Sequence, residues 1–214
     1  MGNAPTVTPM DRPTTADQLP GWTFDPELTI VAFSAQRMGI PWVNGVFKGV
    51  RGKLHLNWDT PLATTCRGEI DARRLLPGHP RLNTELRTAD FLDVENHPRL
   101  GFAGRLVEQS GADEYEADAQ IAIRGVTRQV RMNVTYLGQW RSPFWVGDER
   151  IGALTRVGLR AGALIMRDDL GTPLESESRD DRNAIEITLN INAILDSDLR
   201  ATGAIEHFDT AAPI

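Results

Sequence analysis

Six charged residues, Arg37, Arg87, Asp90, Arg128, Arg167 and Asp169, each fall at the end of an alternating apolar stretch or in a loop beside apolar residues. Arginine carries a planar fork of donors that grips a carboxylate or phosphate through two parallel hydrogen bonds, so these residues could form a charged rim holding an anionic head group at a pocket mouth. The same residues could serve as structural ties instead. Arg87 with Asp90, and Arg167 with Asp169, are spaced to pair and to fasten a loop to a strand end.

The remaining chemical inventory is mostly negative. Cys66 is the one cysteine; it has no base beside Thr65 and Arg67, so a strand-buried or idle thiol is expected rather than a nucleophile. His55, His79, His97 and His207 lie in four separate segments without metal-ligand spacing, and His79 and His97 are expected at the surface beside a helical loop. No metal and no cofactor is expected. The chain has no G-x-S-x-G elbow, no Walker-type phosphate loop and no H-E-x-x-H. Gly45, Gly49 and Gly52 recur within one strand region and are expected to mark bends at barrel corners. With 29 acidic residues against 23 basic ones and a net charge of −6, a nucleic-acid partner is excluded as an expectation.

The elements that must position these residues have a period of two. Tyr115, Ala117, Ala119, Ile121 and Ile123 alternate with polar residues, and after the turn signal at Gly125 the pattern resumes with Val130, Met132, Val134 and Tyr136. That is an antiparallel hairpin with one apolar face. The same alternation predicts eight strands, over 29–36, 43–57, 66–73, 100–109, 114–124, 126–137, 152–166 and 184–194. Strands this long in an open sheet would expose hydrogen-bonding edges, whereas closing eight of them removes the edges and leaves room for one small ligand. The expected fold is all-β, an eight-stranded antiparallel barrel. The alternation breaks over 81–95, where Leu82, Leu86 and Leu92 suit one short helix capped by Asn83 with Leu86 and Phe91 facing the barrel.

At 214 residues one domain is expected. Residues 1–20 form a flexible leader without the apolar run of a secretory signal, 21–196 form the barrel, and 197–214 form a tail in which Leu199 to Phe208 could make a short helix. No stretch is long enough to span a membrane, and a cytoplasmic location is expected.

Five islands occur in fixed order: Trp22-Thr23-Phe24-Asp25-Pro26, Gly45-Val46-Phe47, Leu86-Arg87-Thr88-Ala89-Asp90-Phe91, Gly125-Val126-Thr127-Arg128 and Arg167-Asp168-Asp169-Leu170-Gly171. Together they resemble the YceI-like family of lipocalin-like, polyisoprenoid-binding barrels. The resemblance implies a long cavity filled by a polyisoprenoid, quinone or similar amphiphilic lipid, bound or carried without catalysis. The physics allows it, since an eleven-residue strand spans about 37 Å and, tilted by about 40°, builds a barrel about 28 Å tall. Candidate lining residues are Phe33, Phe47, Phe91, Phe102, Ile121, Ile123, Met132, Val134, Leu159, Ile165, Ile187 and Leu189. The resemblance also implies a bacterial homodimer, for which the apolar segment Ser142-Pro143-Phe144-Trp145-Val146-Gly147, expected as an inserted loop, is the candidate contact. Two other functions stay open. One is an isomerase or cyclase acting on such a lipid, with Asp90 or Asp169 as the acid. The other is a protein-interaction module whose barrel is solid.

Overall fold

Period-two alternation becomes burial in alternate residues: Ala117, Ala119 and Ile123 are buried while Asp118 and Gln120 between them are exposed. The computed structural model describes residues 20–37, 40–77, 84, 86–89, 91–166 and 184–208. Its strands are β1 (Gly21–Phe24), β2 (Ile30–Arg37), β3 (Ile40–Phe47), β4 (Arg51–His55), β5 (Thr65–Asp71), β6 (Leu75–Pro77), β7 (Arg99–Gln109), β8 (Glu114–Ile123), β9 (Val126–Val146), β10 (Glu149–Met166) and β11 (Ala184–Leu195). They form one antiparallel sheet in the order β1-β4-β5-β7-β8-β9-β10-β11, which closes through a β1–β11 ladder and continues from β11 into β2, β3 and β6.

Six of the strands are halves of longer ones. β1 and β2 run in succession along β11, with Phe24 opposite Ala193 and Ile30 opposite Asn190. β4 and β3 pair with them, and β5 and β6 pair with β4 and β3 in turn. Counted as continuous staves, the wall has the expected eight, arranged as a closed up-and-down barrel. Sequence alternation alone misses β1 and β6 as separate strands because each is too short to establish a period.

The three interruptions sit side by side. Gly49 N–H donates to Pro26 O at 3.2 Å and Lys48 N–H donates to Arg74 O at 3.4 Å, so the breaks after Phe24, Phe47 and Asp71 form one crease across three staves. Gly49 has φ +70°, and a Cβ there would overlap the Arg74 guanidinium. Gly49→Ala is therefore expected to destabilise the fold by about 1–2 kcal/mol or more, read from chemical denaturation. Gly49 is the bend expected of it. Gly45 and Gly52 are not corner residues: they lie within β3 and β4, beneath phenylalanine rings.

Asp25, at the start of the first break, is fastened to β10 across the outer face. Arg156 Nη1 donates to Asp25 Oδ2 and to Asn192 Oδ1, both at 2.7 Å, while Arg156 Nε donates to Ser142 Oγ at 2.8 Å. The ion pair is nearly buried, with side chains 12% and 5% exposed. Asp25 Oδ1 also accepts from Glu27 N–H, and Thr29 Oγ1 donates to Asn192 O.

The segment expected as a loop at Ser142–Gly147 is largely strand. β9 runs to Val146, paired with β10 beyond the barrel end, and turns at Gly147 with φ +60°. Its alternation is masked by Gly138 and Pro143 and by a register shift between Gly158 and Leu159. After β11 the chain forms α1 (Asp196–Ala201) and α2 (Ile205–Phe208). Leu199 and Ala204 are buried with Leu154 and Ile194 in a small second core, against which Phe144 and Phe208 pack. No helix among the described residues is long and apolar enough to cross a membrane.

Candidate functional site

Successive staves turn their apolar rows toward one interior. β2 contributes Val31 and Phe33, β3 Phe47, β7 Leu100, Phe102 and Leu106, and β8 Ala117 through Ile123 at alternate positions. β9 adds Met132 and Val134, β10 adds Leu159 and Ala161, and β11 adds Ile185 through Ile191 at alternate positions. Together they enclose a cavity of about 210 Å³. Its surface is almost wholly hydrocarbon. Among the described residues the lining includes Thr64 and Cys66 but no acidic residue and no histidine; Arg105, also at the wall, has an exposed side chain.

The two ends of the barrel are closed differently. At the end formed by the β4–β5 connection, Trp58 meets Tyr136 edge to face at 5.1 Å, and both pack against the main core. At the opposite end the β5–β7 ladder stops at Asp71 and Arg99. Among the described residues β6 has β3 as its ladder partner and no strand on its other side. The described residues of the segment between β6 and β7 pack at this end, where Ala72 N–H donates to Pro98 O. Leu86, Phe91 and Leu92 line the cavity from this segment, and Val94 is buried.

That segment is helical at Thr84, Leu86 and Arg87, and then folds back on itself. Leu92 N–H donates to Leu86 O, Val94 N–H to Arg87 O, and Asp93 takes φ +48°. The helical residues described fit one short helix within 81–95, and beyond Arg87 the carbonyls that would continue it are taken by the returning chain; Asn83 lies outside the described residues. Arg124, in the β8–β9 turn, donates Nη1 to Phe91 O at 3.2 Å, and Arg87 donates Nη2 to Arg73 O at 2.9 Å.

Eleven of the twelve expected lining residues border the cavity: Phe33, Phe47, Phe91, Phe102, Ile121, Ile123, Met132, Val134, Leu159, Ile187 and Leu189. Ile165 does not. It is 3% exposed and packed within the core instead. Ala117, Ala119 and Ala161 were legible by strand parity, yet small residues do not announce a lining, and their lack of bulk is what keeps the interior open. Of the rim residues, Arg87 is half-buried and bonded as described, and Arg128 is exposed with Nη1 donating to Thr127 O at 3.3 Å. Neither borders the cavity. The side chain of Arg37 and all of Asp90, Arg167 and Asp169 lie outside the described residues, as does His79; His97 is half-buried, 3.9 Å from Asp93.

Cys66 borders the cavity with its thiol pushed up to about 11 by burial, against the opposing pull of a hydrogen bond from Gly104. Alkylation by iodoacetamide is expected to rise about tenfold per pH unit up to that value and to accelerate sharply on unfolding. Because the folded value lies above the unfolded one, this group contributes stability fully present below about pH 9 and lost as pH rises through about 11, up to about 2–3 kcal/mol. Equal alkylation rates for native and denatured protein at pH 8 would show the thiol to be open to water.

Comparison with known proteins agrees with this architecture. The chain is 27% identical over 141 residues to Protein YceI of Escherichia coli O157:H7, spanning 66% of this chain and 72% of that one. Among solved structures it is similar to Burkholderia cenocepacia BcnA, with TM-score 0.59 and 16% identity over 80% of this chain and 98% of that one. It is also similar to a polyisoprenoid binding domain from Saccharophagus degradans implicated in plant cell wall breakdown, with TM-score 0.53 and 13% identity over 81% and 98%. The family model described as YceI-like domain matches residues 22–194, from Trp22 in β1 to Ile194 in β11, and the chain belongs to that family.

Proposed function

We propose that this protein binds an amphiphilic lipid, a polyisoprenoid, quinone or similar molecule, with its hydrocarbon tail inside the barrel and without chemical change. The observation that carries this reading is the cavity wall. It is hydrocarbon from every stave, so an enclosed tail loses its contact with water while no charged group has to be desolvated. Each buried carbon supplies about 0.8 kcal/mol before the cost of ordering the chain, so affinity needs no specific polar contact. The Saccharophagus domain supports the polyisoprenoid choice. The interaction-module reading required a solid barrel, and the interior is open. The enzyme reading places its acid at Asp90 or Asp169, both outside the described residues, and is tested by turnover of a prenyl lipid by wild type that Asp90→Asn or Asp169→Asn abolishes.

The test is native mass spectrometry of protein purified from its own host, followed by solvent extraction and accurate-mass identification of what is released. A stoichiometric isoprenoid or quinone is the expected result; an empty protein that also takes up no added prenyl lipid would overturn the reading. The proposal includes a cytoplasmic homodimer, tested by cell fractionation and by light scattering.

A further inference from the structure

Two of the large rings at the cavity wall owe their position to a missing side chain on the neighbouring stave. Phe33 on β2 faces Gly45 on β3, and Phe102 on β7 faces Gly68 on β5, each as a direct cross-strand partner. A Cβ built on either glycine would overlap the far end of the opposing ring. The ring therefore leans sideways over the glycine, along the wall, in space that a side chain would otherwise occupy. Both rings border the cavity, and both are only half-buried, their remaining surface being turned to the interior.

We propose that Gly45 is a specificity-determining residue that sets the bore of the cavity by parking Phe33 against the β2–β3 wall. A methyl group at position 45 would displace the Phe33 ring. Backbone blocks movement through the sheet, and Phe47 lies beside the ring at 5.7 Å between centroids, so the ring must move into the lumen. A narrower lumen discriminates by cross-section. An isoprenoid chain bears a methyl branch on every fourth carbon and is wider than an unbranched chain of the same length, so it loses more. Gly45 is a cleaner control point than Gly68. Its nearest neighbours are side-chain atoms of Phe33 and Leu75, whereas a Cβ at Gly68 also meets the backbone carbonyl of Arg51 and would strain the sheet itself.

This inference rests on the lipid-binding reading, and one experiment separates the two. Dissociation constants for geranylgeraniol and for unbranched eicosanol are measured by tryptophan fluorescence on wild type, Gly45→Ala, Phe33→Leu and the double variant, with melting curves as the check on folding. Gly45→Ala is expected to weaken geranylgeraniol about tenfold or more while changing eicosanol less, and in the Phe33→Leu background the same glycine substitution is expected to change neither. If Gly45→Ala does not fold, Phe33→Trp, which adds bulk from the ring side with the glycine intact, is expected to show the same selective loss. An unchanged ratio of the two affinities, or an equal effect with and without the Phe33 ring, would overturn the bore assignment and leave lipid binding standing. Wild type that binds neither alcohol would overturn both.

Discussion

Asp25→Ala is expected to cost the fold about 3–5 kcal/mol, because it leaves the Arg156 guanidinium nearly buried without its counter-charge. The pair is well made. Arg156 reaches the Asp25 carboxylate, the Asn192 amide oxygen and the Ser142 hydroxyl at 2.7–2.8 Å, and that satisfaction is what offsets the desolvation of both ions. Removing the carboxylate keeps the desolvation and forfeits the offset. Asp25→Asn retains an acceptor oxygen and is expected to cost less, while the paired replacement of Asp25 by Leu and Arg156 by Met is expected to recover most of the loss, since neither charge then needs a partner. Urea denaturation followed by tryptophan fluorescence provides the comparison. A loss under about 1 kcal/mol for Asp25→Ala would show that water reaches Arg156 and that the network does not hold the first break to β10.

Ala161→Trp is expected to abolish lipid uptake while the protein stays folded. Ala161 is 6% exposed, borders the cavity on β10, and lies between its cross-strand partners Val134 and Leu189, which border it too. An indole placed there points into a space of about 210 Å³ and competes directly with a bound tail. Displacing four carbons at about 0.8 kcal/mol each costs about 3 kcal/mol, a loss of at least about 100-fold in affinity. The penalty to the fold is held at or below the usual 1–3 kcal/mol of overpacking, since the added volume has somewhere to go. Titration with a fluorescent prenyl lipid reads the binding, and a melting curve reads the fold. Wild-type affinity in Ala161→Trp would place the ligand outside the barrel.

Long alternating stretches make most of the barrel legible in the residue order. Ala117 to Ile123 and Ile185 to Ala193 each keep an unbroken apolar parity through a full strand, so both the strand and its inward face follow from residue order. The cavity lining followed from the same parity. What stayed hidden depends on neighbours distant in sequence. β6 has only three residues and exists because Val46 and Phe47 offer it a ladder. The distal half of β9 is strand because β10 returns alongside it, despite Pro143 and a glycine at φ +110°. Asp25 and Arg156 are 131 positions apart, and neither has a local feature that distinguishes it from a surface charge. Gly45 looked like a bend because a glycine in a strand is ambiguous; its meaning comes from the ring opposite.

The crease has a consequence for how the wall is held shut. On one side of it β1, β4, β5 and β7 to β11 close a complete circuit of backbone ladders, like the lower hoop of a cask. On the other side the ladders among the described residues run from β11 through β2 and β3 to β6, and Leu86, Phe91 and Leu92 of the following segment add apolar contact along the cavity. These two kinds of contact respond differently to temperature. Ladder hydrogen bonds have no special weakness in the cold, whereas apolar contact loses its entropic drive on cooling. One hoop is therefore held by ladders that cooling does not weaken, whereas the packing of Leu86, Phe91 and Leu92 rises and falls in tightness with the same solvent force that would hold a lipid beside them.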